Sequence, residues 1–169
     1  MDAQERRQAI ARRLEGASGP VSAAVLAREH SVSRQIIVGD IALLRAGGMD
    51  IAATPRGYVL PAPAAGLVRT LACRHRADQT EEELNAMVDQ GCTALDVIVE
   101  HPIYGQPTGQ LQISSRYDVG QFVQRCRRQE AAPLSQLTDG IHLHSLSCPD
   151  EASYEHLKAR LRELGFLAE

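Results

Sequence analysis

Tryptophan is absent from this 169-residue chain, and phenylalanine occurs only twice beside four tyrosines. Without tryptophan and with so little phenylalanine, the core is expected to be built from Leu, Val, Ile and Ala, and so few rings argue against a stacking platform for single-stranded nucleic acid. Apolar runs are also short. None approaches the ~18 residues of a membrane helix, and the opening Met1-Asp2-Ala3-Gln4-Glu5-Arg6-Arg7 has no signal-peptide hydrophobic region. A cytoplasmic protein without a membrane partner is therefore expected. Cysteine is scattered: Cys73, Cys92, Cys126 and Cys148 form no C-x-x-C pair, which favours reduced, packed thiols. Repeats and low-complexity tracts are missing too.

The net charge of −3 is small and unevenly spread: residues 1–60 carry +2 and the remainder −5. A weakly basic module is thus joined to an acidic one. With so little positive charge, phosphate contacts alone would not hold DNA tightly, and dimerisation would have to contribute.

The basic part reads as three short helices and a hairpin. Residues 3–15 form a helix with Ile10 and Leu14 on one face, ended by Gly16-Ala17-Ser18-Gly19-Pro20. Ser22 caps a second helix through about Glu29, and His30-Ser31-Val32 is the turn. Ser33 caps a third helix in which Ile37, Ile41 and Leu44 face inward, leaving Arg34, Gln35 and Val38 outward near its start. After Gly47-Gly48 come Met49, Ile51 and Ala53 in alternation, a Thr54-Pro55-Arg56-Gly57 turn, and Tyr58-Val59-Leu60. This order predicts a winged helix-turn-helix, domain 1–61, whose third helix enters the major groove. Arg34 and Gln35 offer bidentate pairing to guanine and adenine, with Ser33 and Val38 beside them and Arg56 at the wing tip near the backbone or minor groove. A three-helix module with a merely solvated Arg-Gln pair has a similar pattern. Pro61 to Gly66 then makes a stiff, extended linker.

Residues 66–169 form the second domain. The pattern strand (67–74), helix (80–90), strand (93–100), strand (109–115), helix capped by Asp118, strand (141–147) and helix from Pro149-Asp150-Glu151 predicts an α/β sandwich. Its sheet is mixed or antiparallel with helices on one face, so the whole chain is α+β. His142 and His144 share one strand face, His75 ends the first strand, and Glu83 lies on the next helix. Three nitrogens and one oxygen suit Zn(II), Ni(II), Fe(II) or Cu(II), and ligand count does not choose among them. Each piece has a plainer reading. Thr80-x-x-Glu83 matches a capping box, and the histidines can be solvated or hydrogen-bonded structural residues.

Taken together, Val32 to Val38 with Asp40-Ile41, Ala53-Thr54 with Gly57-Tyr58, His75 with Glu83, His101-Pro102-Ile103-Tyr104-Gly105, and Leu137 to His144 resemble a bacterial regulator family. Its members join a biotin-repressor-like helix-turn-helix to a C-terminal three-histidine domain, and the resemblance runs from about residue 5 to the end of the chain. It implies a repressor of NAD-biosynthesis or niacin-uptake genes that acts on a double-stranded operator as a homodimer, with nicotinic acid as corepressor. It further implies a divalent transition metal held by His75, Glu83, His142 and His144. Nickel is favoured by the resemblance, with zinc or iron as the alternatives. His101, and with it Tyr104, is expected at the effector pocket. Two other readings stay open on the residues alone: a metal-dependent enzyme domain fused to a DNA-binding module, and a sensor for which the metal itself is the signal.

Overall fold

A computed structural model describes residues 2–62, 64–129 and 132–169; Pro63, within the linker read from the sequence, lies outside them. The chain divides into two compact units, Met1–Pro63 and Ala64–Glu169.

In the first unit α1 (Ala3–Glu15), α2 (Ala23–Glu29) and α3 (Arg34–Ala46) begin after Asp2, Ser22 and Ser33, whose side chains accept a backbone N–H of the first turn. Ile10, Leu14, Leu26, Ile37 and Ile41 close the core with Val21 and Ile51. The hairpin is shorter than the alternation predicts, with β1 at Ala52–Thr54 and β2 at Gly57–Val59. The Met49 N–H is drawn back to the Leu44 carbonyl at the helix end, which takes it out of the strand. Gly57 is required here. Its φ is +140°, and a Cβ would sit 2.4 Å from the Val21 carbonyl oxygen, where the turn before α2 pairs with Tyr58.

The second unit contains β3 (Leu67–Arg74), α4 (Thr80–Asp89), β4 (Thr93–Ile98), β5 (Thr108–Ile113), α5 (Arg116–Arg128), β6 (Ile141–Cys148) and α6 (Glu151–Glu163). The sheet order is β3-β6-β4-β5, and every neighbour is antiparallel, which decides between the two sheet types the sequence left open. Leu84 and Met87 of α4, Val119 of α5 and Leu157 and Leu161 of α6 meet Leu71, Leu111, Ile113 and Leu146 in one core, so the helices share one sheet face. The structure corrects one local expectation. α5 starts before Asp118: Ser115 is its cap and accepts the Asp118 N–H, while the Asp118 carboxylate accepts the Ser114 N–H. In the β4–β5 connection, residues 101–105 close a small bridged loop of their own.

Candidate metal centre and DNA-facing surface

β6 alternates strictly, sending His142, His144, Leu146 and Cys148 into the core and Ile141, Leu143, Ser145 and Ser147 away from it. Register pairs His142 with Cys73 and His144 with Leu71 on β3, and His75 follows directly after that strand. Glu83, one turn into α4, is 1% exposed and lies beneath them. Its carboxylate is met from three directions: His75 Nε2 at 2.7 Å, His142 Nε2 at 3.0 Å and His144 Nε2 at 3.4 Å. Ligand atoms of His75, Glu83 and His142 all lie within 4.8 Å of one another. His144 reaches the same carboxylate from beside His142, the two rings standing edge to face with centroids 4.8 Å apart.

The opposite edge of each imidazole is fixed by the backbone. Nδ1 of His75 donates to the Arg76 carbonyl (2.7 Å), Nδ1 of His142 to Gly140 (2.8 Å) and Nδ1 of His144 to Asp96 (2.6 Å). With the ring proton at Nδ1, a neutral imidazole turns its Nε2 lone pair toward the Glu83 oxygens. Acceptor then faces acceptor in a buried space, which only a proton or a cation can reconcile. His75 makes the conflict explicit. Its Nε2 touches Glu83 yet is buried without a hydrogen-bond partner of proper geometry. A divalent transition metal fits this donor set, with imidazoles oriented through their second nitrogen as metal-binding histidines usually are.

Two backbone irregularities place these rings. Asp139 and Gly140 have φ of +51° and +87°, and a Cβ on Gly140 would lie 2.2 Å from the His75 carbonyl oxygen. Only glycine allows that approach, and its carbonyl accepts from both His142 Nδ1 and the His75 N–H. On the other side, the β4–β6 register slips between Ala94 and Ile98. Asp96 fills that bulge, accepting the Ser145 N–H at its carboxylate (2.9 Å) and His144 at its carbonyl.

Electrostatics follow from the packing. Burial alone would raise the Glu83 carboxyl, but the charge of His144 and the close contacts of all three rings hold it well below its ordinary range. Burial would likewise lower His75 and His144, and Glu83 outweighs it, leaving both above the ordinary histidine value. The Cys73 thiol is pushed far up, by burial first and then by Glu83. As for the competing cap at Thr80-x-x-Glu83, no side chain caps α4, and Glu83 is spent on the histidines. Beside His75 a hollow of about 500 Å³ is lined by Arg74, Arg76, Ser135, Gln136 and Gly140 among others. A second hollow of similar size, between α4 and α5, contains none of the four cluster residues.

His101 and Tyr104 stand elsewhere, in the β4–β5 connection. His101 Nδ1 accepts the N–H groups of Ile103 and Tyr104 at 3.2 Å, the two rings are 4.9 Å apart, and Tyr104 is 78% exposed. Neither is among the groups that meet Glu83. On the first unit Arg34, Gln35 and Val38 lie exposed along the start of α3, and Arg56 is exposed at the wing. Ser33 is partly committed, its oxygen accepting the Ile36 N–H. A buried ion pair that no motif announces lies under that helix: Asp40, 4% exposed, accepts Arg6 Nε at 2.6 Å and Nη2 at 3.3 Å, with Arg7 at 3.6 Å. An acidic residue one step from the Ile37/Ile41 stripe is the only local sign of it.

Among families of known proteins, the 3H domain matches residues 68–169 and an HTH domain matches residues 6–59. The chain is 46% identical over 166 residues to the probable transcription repressor NiaR of Thermotoga maritima, covering 98% of this chain and 95% of that protein. It is 43% identical over 158 residues to the transcription repressor NadR of Bacillus subtilis, covering 91% and 88%.

Proposed function

Because this chain belongs to the 3H-domain transcription repressors that carry an N-terminal HTH domain, we propose that it is a corepressor-dependent repressor of NAD-biosynthesis or niacin-uptake genes. In this reading residues 1–61 read the operator and residues 66–169 hold the metal, the effector and the dimer contact. The observation that carries it is the convergence of three backbone-oriented imidazoles on one buried carboxylate, which is incomplete without a cation. His75, Glu83, His142 and His144 would hold a divalent transition metal, nickel, zinc or iron. When bound, the ion supplies fixed positive charge at the edge of the effector site.

Nicotinic acid is the proposed effector. It is a small aromatic anion, and the hollow beside His75 has room for it and two arginines, Arg74 and Arg76, in its lining. His101 and Tyr104, the other proposed effector contacts, do not line that hollow and would have to reach the ligand from the β4–β5 connection. Ser33, Arg34, Gln35 and Val38 would meet base edges, with Arg56 on the adjacent backbone or minor groove. For nicotinate to act as corepressor it must bind the DNA-competent homodimer better than the incompetent form; otherwise its binding shifts nothing. A two-fold dimer would set the reading helices roughly 34 Å apart on a near-palindromic site.

Operator binding measured with metal alone, nicotinate alone and both together tests the reading. Tight binding only with both supports it; full binding with metal alone would make the ion the signal. Arg34→Ala should weaken operator binding by roughly five- to a hundred-fold while the calorimetric affinity for nicotinate stays the same. Equal losses of both would argue against a separate reading surface.

A further inference from the structure

Cys148 ends the strand that carries His142 and His144, Cys92 precedes β4, and neither is used by anything described so far. Register pairs Thr93 with Ser147 and Ala94 with Leu146, so one step further along the same ladder Cys92 stands opposite Cys148. Directly opposed residues on antiparallel strands have Cα atoms about 4.5–5.5 Å apart, inside the span a disulfide bridges. The sulfurs are already in contact: Cys92 S–H donates to Cys148 Sγ at 2.8 Å, and both residues are 1% exposed. A metal does not suit the pair, since two sulfurs this close, each about 2.3 Å from an ion, would subtend an angle of only about 75°.

We propose that Cys92 and Cys148 form an oxidation site, a dithiol that two-electron oxidants of the hydroperoxide class convert to a cross-strand disulfide. Cys148 is the sulfur that reacts first: burial pushes its thiol up, and the S–H it accepts from Cys92 offsets part of that rise, whereas Cys92 as the donor has no such relief. Its sulfur attacks the peroxide, the O–O bond breaks, an alcohol or water leaves, and a sulfenic acid remains. Cys92 sulfur then displaces hydroxide from that sulfenic sulfur. The S–S bond forms, and the thiol proton leaves with the hydroxide as water. The two thiols lose two electrons and the peroxide gains them.

The place of the pair in the fold gives the bond a consequence. Cys148 ends β6 where the chain enters the second unit. The Ser147 hydroxyl donates to the Ala65 carbonyl, and a Cβ on Gly66 would lie 2.5 Å from the Cys148 carbonyl oxygen. On the far side Gly91 packs against Pro149. The thiols therefore lie one layer under surface turns, and one of those turns is the entry of the linker. A bond here clamps β4 to β6 at the end opposite His142 and His144, directly under Ala65–Gly66.

The test uses the full-length, metal-loaded protein treated with hydrogen peroxide under native conditions, alkylated, digested and analysed by mass spectrometry. The expected product is an intact chain lighter by two hydrogens, with the Cys92 and Cys148 peptides cross-linked, Cys73 and Cys126 alkylated, and full reversal by dithiothreitol. Cys126→Ser should leave that product unchanged. Cys92→Ser should instead stop at a Cys148 sulfenic acid, trapped with dimedone. If Cys92 and Cys148 are recovered as alkylated thiols while Cys126 takes the oxidant, the proposal is overturned. The wild-type measurement decides this even if Cys92→Ser does not fold.

Discussion

Asp40 in the first unit and Glu83 in the second are both buried on helices, and the two are partnered in opposite ways. Asp40 is enclosed by Arg6 and Arg7, guanidiniums that stay charged at any pH the protein meets, so the charge under α3 is neutralised permanently. Glu83 is enclosed by His75, His142 and His144, whose charge depends on protons and whose Nε2 atoms can take a metal in place of a proton. Both satisfy the requirement that a buried charge be paired. One arrangement is complete within the chain. The other is completed by what the solution supplies, and that difference separates a scaffold from a responsive site.

The sharpest way to break this contrast is His142→Ala. It removes a ring held by Gly140 on one side and facing Glu83 at 3.0 Å on the other. Nickel or zinc affinity should fall by about a hundred-fold or more, beyond the ten- to hundred-fold typical of losing a mere supporting contact. The far-ultraviolet circular dichroism should be retained, because the sheet ladder does not depend on the ring. Unchanged metal content in the purified variant would refute the centre. Asp40→Asn probes the other partner set and should lower the melting temperature of the first unit by roughly 5–10 °C while metal content stays at the wild-type level. A variant that lost metal would show that the two carboxylates are not independent.

What could be read from the residues divides along the same line. The capping serines Ser22 and Ser33, the Ile37/Ile41 stripe and the His142/His144 alternation are local patterns, and each became the element it predicts. At Glu83 local pattern was ambiguous, and tertiary structure settled it. Hydrogen bonds reaching 59 residues along the chain to His142 and 61 to His144 prevail over a cap three residues away. The Asp96 bulge and the backbone approach of Gly140 to His75 had no readable signal, and the Arg6–Asp40 pair only an acidic residue beside the Ile37/Ile41 stripe, because each depends on a register or a distance fixed only after the elements pack. The same holds for Cys92 and Cys148. Spacing of 56 residues reads as unrelated thiols until the β4–β6 ladder puts them side by side.

The smallest effect, and the one that tests the contrast most directly, is the pH dependence of the metal-free protein. His75 and His144 are held above their ordinary value of 6.5, so the stability they contribute is whole below that pH and is lost as pH climbs through their raised values in the folded chain. Glu83 is held well below 4.5, so its share is present above 4.5 and fades only as pH falls toward its depressed value. The cluster therefore stabilises the metal-free fold most between those ordinary values, 4.5 and 6.5, and less on the alkaline side. Urea midpoints of the chelator-treated protein should be lower at about pH 8 than at about pH 6. Loading nickel should reverse the slope, because the ion replaces the departing protons and binds more tightly as the imidazoles lose them. A metal-free midpoint that rises with pH would mean that protons do not hold the rings to Glu83, and the distinction between the two buried carboxylates would fail.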